Sequence, residues 1–384
     1  MLIQDTRSLI RFCDALADAP YLAVDTEFMR ERRYYPLLCL VQVAHGEHAA
    51  AIDPLAQGID MAPLKDLLLD TSKTKVLHAA TQDLEIFLDR TGAVPAPVFD
   101  TQIAASVCGY GEQPGYARLV KDVLRVNIDK VSQATDWSLR PLSDRQVEYA
   151  LGDVTHLCKL YEHLVGELDR TGRSAWVEEE LADLLDPSRY ATEPAEAWRG
   201  IKLRRPKRVQ LAVLREVAAW RERTAMERDI PRTWVARNDA LTEIAQHQPT
   251  TVDDLVRVRA MKDNAARSSD GRAILEAVQR ALDTPEDDWP ELPPRRPRIE
   301  GHENLVALFQ ALLRLRCERH DVAASVVVKR SELDRIATED EPDVPALRGW
   351  RRRLFGEAAL RMKAGTLALA GDGKGGVQEV ELDG

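Results

Sequence analysis

Cysteine is scarce in this chain and scattered. The 384 residues hold five, at Cys13, Cys39, Cys108, Cys158 and Cys317, with no C-x-x-C pair. That spacing excludes a disulfide framework and a cysteine zinc site, and it fits a reducing cytoplasm as the expected location. No run approaches the roughly 18 apolar residues of a membrane span, so no membrane partner is expected. The first residues, MLIQDTRSLIRF, carry Asp5, Arg7 and Arg11 and no long apolar stretch, which predicts the absence of a signal peptide. Positive charge is also short overall: 53 Lys and Arg stand against 63 Asp and Glu, a net charge of −10. At first sight this speaks against a nucleic-acid partner, but the charge is unevenly placed. Between Lys202 and Asn238, eleven basic residues face four acidic ones. A basic segment inside an acidic chain is the footprint of a nucleic-acid surface.

What is present is ample for real cores: 45% hydrophobic and 30% charged residues over a length that calls for two or three domains. Residues 4–19 space Leu9, Ile10, Phe12, Cys13 and Leu16 as a helix does. Three strand-like runs follow, at 21–28, 38–44 and 48–53, close enough to form an antiparallel meander. Short strands at 75–78 and 98–100 then alternate with helices at 61–69, 81–91 (stopped by Gly92) and 101–108. The pattern predicts a mixed sheet flanked by helices, an α/β domain. A long helix is expected over 143–170, with Ser143 as its cap and Gln146 three residues on.

Two composition breaks divide the rest. Residues 183–208 are punctuated by Pro187, Pro194 and Pro206, and residues 284–301 contain five prolines. The expected layout is an α/β domain over 1–200, a helical bundle over 201–288, and a linker with a second bundle over 289–384. The two bundles look alike at an offset of 92 residues: Leu214, Val217, Leu241, Ile244, Ala245 and Leu255 map onto Val306, Phe309, Leu333, Ile336, Ala337 and Leu347. The tail GDGKGG, 371–376, is expected to be frayed or exposed.

Three acidic motifs carry chemistry. In LAVDTEF, 22–28, Asp25 and Glu27 are two apart on a strand and project from one face. Two such carboxylates repel, an arrangement a cation relieves; the plain alternative is a polar strand end. In HAATQDLEIF, 78–87, Asp83 lies in the first turn of a helix, where the dipole alone favours an acid. In VEYALGDV, 147–154, Tyr149 and Asp153 share a helical face, as they also would in a simple hydrogen-bonded pair.

Together, and in this order, the motifs resemble the DEDD exonuclease superfamily on the ribonuclease H-like fold, in its tyrosine-bearing branch and close to the ribonuclease D family. RRYYPLLCLVQV (32–43) and DWSLRPLS (136–143) share the likeness, which covers about residues 1–175. Residues 207–282 resemble an HRDC domain, and the last segment looks like a second, divergent copy. The sister branch places a histidine five residues before the last Asp. Here that position is Glu148, and Tyr149 stands at the four-residue spacing instead.

Phosphodiester hydrolysis needs an activated water, a stabilised pentacovalent centre and a stabilised leaving oxygen. Two divalent cations held by hard oxygen ligands supply all three, which points to Mg²⁺ or Mn²⁺. Asp25 is assigned as the shared ligand, with Glu27 and Asp153 completing the water-activating site and Asp83 supporting the second metal. Tyr149 would orient the attacking water; an ordinary phenol, ionising near 10, is a poor base. For substrate contact the candidates are Phe28 and Met29, which the resemblance implies wedge against the terminal base, and His78, Gln82, Trp137 and Arg140. Core packing or ligand support is the competing role for each, and Arg30, Arg32 and Arg33 would meet phosphates or line a solvated turn.

The resemblance implies a 3′→5′ exoribonuclease, working as a monomer on tRNA precursors and other small structured RNAs, gripped by the HRDC modules and the basic run KLRRPKR, 202–208. Two competitors stand beside it. An exodeoxyribonuclease would use the same acids, and a non-catalytic RNA-binding scaffold would retain them as vestiges.

Overall fold

The computed structural model describes residues 1–128, 135–261, 263–292 and 301–382. Its first part is a six-stranded sheet in the order β1-β4-β3-β2-β5-β6. Strands β2 (Tyr21–Met29), β3 (Leu37–His45) and β4 (His48–Ile52) form the expected antiparallel meander. Strands β5 (Thr74–Leu77) and β6 (Val98–Asp100) extend it in parallel beside β2. A strand absent from the sequence reading, β1 (Leu2–Ile3), pairs in parallel with β4. Two residues are too few to show a period, so nothing in the pattern announced it.

Helices cover both faces, so alternate residues of β2 serve different cores. Leu22 and Val24 pack with α1 (Thr6–Ala15), α2 (Ala62–Leu69) and α3 (Thr81–Thr91), through Leu9, Phe12, Leu64, Leu68 and Phe87. Tyr21 and Ala23 face the other way. There α6 (Asp144–Thr171) crosses the sheet, after α4 (Thr101–Val107) and α5 (Tyr116–Leu124), burying Ala150, Val154 and Leu157. Ser143 caps α6 in the box that Ser143 and Gln146 predicted, each side chain taking up the other's backbone N–H. Gly92, at φ +81°, ends α3 where the sequence placed the stop. The first helix is shorter than its apolar pattern: Asp5 caps it at Thr6, and Leu16 and Ala19 reach the core from the turn beyond.

Helix α7 (Ser174–Ala182) and three 3-10 turns between Asp183 and Gly200 lead to two further cores. One gathers α8 (Arg208–Arg228), α9 (Arg232–Val235), α10 (Asn238–His247), α11 (Val252–Val256), α12 (Asp263–Ala266) and α13 (Ser269–Asp283). The start of the proline-rich break belongs to it, since Trp289 packs back and Arg208 donates to the Trp289 carbonyl at 2.9 Å. Residues 293–300 of that expected linker lie outside the described residues. The other core holds α14 (His302–His320), α15 (Ala324–Val327), α16 (Arg330–Thr338), α17 (Gly349–Arg351) and α18 (Glu357–Lys363). The glycine-rich tail is exposed, as expected, and forms the turn of a hairpin. Strands β7 (Leu367–Gly371) and β8 (Val377–Glu381) make a hairpin, and the exposed glycine-rich turn is tied by Asp372, which accepts from the Lys374 and Gly376 amides.

The first three helices of the two helical parts recur at the 92-residue offset. α15 and α16 begin where α9 and α10 do, and Asp229 and Asp321 both end their first helix in the left-handed region. Both corners touch the α/β part. Asp229 accepts from the Tyr34 and Tyr35 amides at 3.1 Å each. The Asp321 carbonyl lies 2.8 Å from where a Cβ at Gly109 would stand, so only glycine fits there. The acids of α7 are a docking face: Glu179 accepts from the Trp350 amide and Arg353, Glu180 from the Trp350 indole and Arg351, and Trp176 stacks on Trp350 with ring centroids 4.6 Å apart.

Candidate active site

Asp25 continues the face of Tyr21 and Ala23, and so points to the α6 side of the sheet. A bulge between Glu27 and Phe28 breaks the register just after the second acid. Bulges re-aim side chains, and here Phe28 comes to line the same cleft as the carboxylates. On α6, Tyr149 and Asp153 sit one turn apart, both facing that cleft. The result is a pocket of about 380 Å³ holding Asp25, Glu27, Asp83, Tyr149 and Asp153 together.

Within it, Asp25, Glu27 and Asp153 offer ligand oxygens that all lie within 4.8 Å of one another. Asp83, at the start of α3, is fixed by the Thr26 hydroxyl, which donates to Oδ1 at 2.5 Å. The middle residue of D-T-E thus serves the third acid, a role the motif spacing did not reveal.

Crowding and burial shift every acid upward. Asp25 is pushed to about 6, chiefly by burial against the opposing Thr26 amide. Asp83 rises to about 8 through burial and the Asp25 charge. Asp153 also reaches about 8, again through burial and Asp25, although Tyr149 donates to it. Glu27 reaches about 9, through burial and then the charges of Asp25, Asp153 and Asp83. Burial and the neighbouring Asp153 and Glu27 hold the Tyr149 phenol well above its ordinary range. No basic side chain appears among the causes of these five shifts. Hard oxygen donors crowded without a counter-charge suit a hard divalent cation.

The expected substrate residues divide. Phe28, His78 and Gln82 line the cleft. His78 shares a 3.0 Å hydrogen bond between Nδ1 and Thr101, and burial lowers its pKa, so it is neutral at pH 7. Met29, Trp137 and Arg140 are placed outside the lining of the cleft. Met29 and the fully buried Trp137 belong to the apolar group under α6, with the Trp137 ring 6.2 Å from that of Tyr149. Arg140 is committed to Asp53, at 2.7 and 2.8 Å, and to the Cys39 carbonyl. Arg30 and Arg33 are likewise engaged, with Glu85 and Asp229.

Sequence reasoning missed Tyr116. Its hydroxyl donates to the Asp153 carbonyl and its ring meets His78 edge-on at 5.2 Å, tying two motifs together. It lies in none of the three motifs, and only the fold brings it there.

Comparison with known proteins agrees with this geometry. A family model described as 3'-5' exonuclease matches residues 1–169, and one for the HRDC domain matches residues 210–278. The chain is 46% identical to ribonuclease D of Acidiphilium cryptum over 97% of its own length and 95% of that protein. It is also 46% identical to ribonuclease D of Nitrobacter hamburgensis, covering 99% of each. The crystal structure of Escherichia coli RNase D, an exoribonuclease involved in structured RNA processing, superposes with a TM-score of 0.82. That match has 33% identity and covers 94% of this chain and 98% of the other. Identity of this extent, over nearly the whole chain and both kinds of domain, places the protein in the ribonuclease D family.

Proposed function

We propose that this protein is a cytoplasmic, monomeric 3′→5′ exoribonuclease that uses two divalent cations, Mg²⁺ or Mn²⁺. Its substrates are tRNA precursors and other small structured RNAs, trimmed one nucleoside 5′-monophosphate at a time. The observation that carries the reading is the cluster of Asp25, Glu27 and Asp153 oxygens within 4.8 Å, with no basic group among the described residues contributing to its electrostatics. These residues and Asp83 fit the cations as ligands. When bound, the cations activate water and stabilise charge on the attacking and leaving oxygens.

The protein's own groups do the rest. The Asp25 charge raises Glu27, Asp83 and Asp153 alike, and this supports it as the ligand the two cations would share. Thr26 holds Asp83 in place by its hydrogen bond. Tyr149, which donates to Asp153, orients the attacking water by hydrogen bonding. Phe28 offers an aromatic face to the terminal base, with His78 and Gln82 beside the ribose. The segment 301–382 acts as a second HRDC-like module, and the two modules hold the body of the RNA.

Matched RNA and DNA oligomers, digested with Mg²⁺ and followed by gel, test the reading. Stepwise shortening of RNA from the 3′ end is expected. Faster digestion of the DNA would replace the reading with an exodeoxyribonuclease.

A further inference from the structure

Gln42 is a lone polar side chain in the apolar strand LLCLVQVAH. It is fully buried, and among the described residues neither its Oε1 nor its Nε2 has a hydrogen-bond partner. An amide left unpaired in the interior is destabilising, a cost that an apolar residue of the same size would avoid. Its position suggests what the amide is kept for.

In the sheet register Gln42 stands directly opposite Asp25 on one side and Ala51 on the other. Opposed residues of an antiparallel pair share a face, with Cβ atoms about 5 Å apart. Leu40, Gln42 and Ala44 therefore all look toward α6. Leu40 packs in the group that holds Ala150, and Ala44 in the group that holds Val154, Leu157 and Cys158. The Cys158 thiol reaches the Ala44 carbonyl at 3.7 Å. Two strand residues and four helical residues both span about 6–7 Å, so Gln42 lies under the turn from Ala150 to Val154. That turn carries Asp153. The amide is thus enclosed beside Asp25 and beneath the Asp153 turn.

We propose that Gln42 is a positioning residue for Asp25: its Nε2 donates to the Asp25 carboxylate in the cation-bound protein, and so fixes the carboxylate plane. The inference rests on the reading of these acids as metal ligands. Hydrogen-bond partners behind ligands are what orient them, and losing one typically costs 10–100-fold in metal affinity.

Gln42→Met keeps the shape and removes the amide. Full-length protein and variant are compared by Mn²⁺ titration, followed by calorimetry and by the free-Mn²⁺ electron paramagnetic resonance signal. Melting without metal, and kcat and KM on an RNA oligomer, are measured alongside. Metal-free melting should be unchanged or higher, Mn²⁺ affinity about tenfold weaker, and kcat lower at unchanged KM for RNA. Unchanged Mn²⁺ affinity in the variant would overturn the role of Gln42. So would metal-free melting several degrees lower, since the amide would then be serving the core. Wild-type protein that binds no Mn²⁺ would instead overturn the site itself.

Discussion

Two regions of this molecule bury acids, and they do so with opposite consequences. In the cleft, Glu27 is driven up to about 9 by burial and by three neighbouring carboxylates. At the junction with the first helical module, Glu222 on α8 is also fully buried. Burial raises it too, but Arg232 chelates it at 2.7 and 2.8 Å and Tyr34 donates to it, so its pKa falls below the ordinary value. Arg232 in turn lies 4.7 Å over the Tyr34 ring. One carboxylate is finished within the chain and holds two domains together. The other is unfinished, and its missing counter-charge must come from outside.

That contrast is broken most directly by removing one acid from each region. Asp25→Asn should lower kcat by about 10³-fold or more, since the transition-state charge it helps neutralise is worth several kcal/mol. Melting without metal should not fall, because a repelling charge is gone. Glu222→Gln should do the reverse: kcat on a short oligomer holds, while urea unfolding shows a loss of about 2 kcal/mol. That is less than the 3–5 of a fully enclosed pair, because Arg232 remains 40% exposed. Asp25→Asn with normal activity, or Glu222→Gln with normal stability, would erase the distinction.

The cleft was the more legible region from sequence. Asp25, Glu27, Tyr149 and Asp153 are placed by strand and helix periods, which depend only on local geometry. Asp83 needed only the short strand and helix before and after it. Tyr116, Gln42 and the Thr26–Asp83 bond come from which strand lies beside which, and no local spacing encodes that. The basic segment misled for a related reason. Counting charges in 202–238 could not show that Arg221 is buried against Asn238, that Arg228 pairs with Asp270, or that Arg232 belongs to Glu222. Arg140 read as a substrate contact until Asp53, 87 residues away, claimed it.

The cations left over mirror the cleft. Lys202, Arg204, Arg205, Lys207, Arg223 and Arg237 are exposed, and among the described residues none has an acidic partner. Unfinished positive charge on this module matches the phosphates of the RNA proposed to bind there. Replacing Lys202, Arg204, Arg205 and Lys207 together by Gln should weaken RNA binding about tenfold at physiological salt. The slope of log affinity against log salt should flatten by about 3, four contacts at roughly 0.7 each. Fluorescence anisotropy across a salt series measures both, and an unchanged slope would make the run a solvated connector.

The smallest effect is the one that reads both regions at once. A carboxyl whose pKa is raised on folding binds its proton more tightly in the native state. Its contribution is therefore complete below the unfolded pKa, near 4, and is lost as pH rises through the folded value. That loss runs from about pH 4 up to the folded value, about 6 for Asp25, about 8 for Asp83 and Asp153 and about 9 for Glu27. Metal-free protein should accordingly melt a few degrees lower at pH 9 than at pH 6. Millimolar Mg²⁺ should remove most of that slope by supplying the charge the ionised acids lack. Glu222 has the opposite sign: its lowered pKa gives stability that is present above about pH 4.5 and lost as pH falls through the folded value. The Glu222→Gln variant should thus keep the alkaline slope and lose part of the acid one, while Asp25→Asn flattens the alkaline side alone. Melting curves across pH 3–9, with and without Mg²⁺, separate the two regions. An alkaline slope indifferent to Mg²⁺ would show that the raised acids are not where the cation goes.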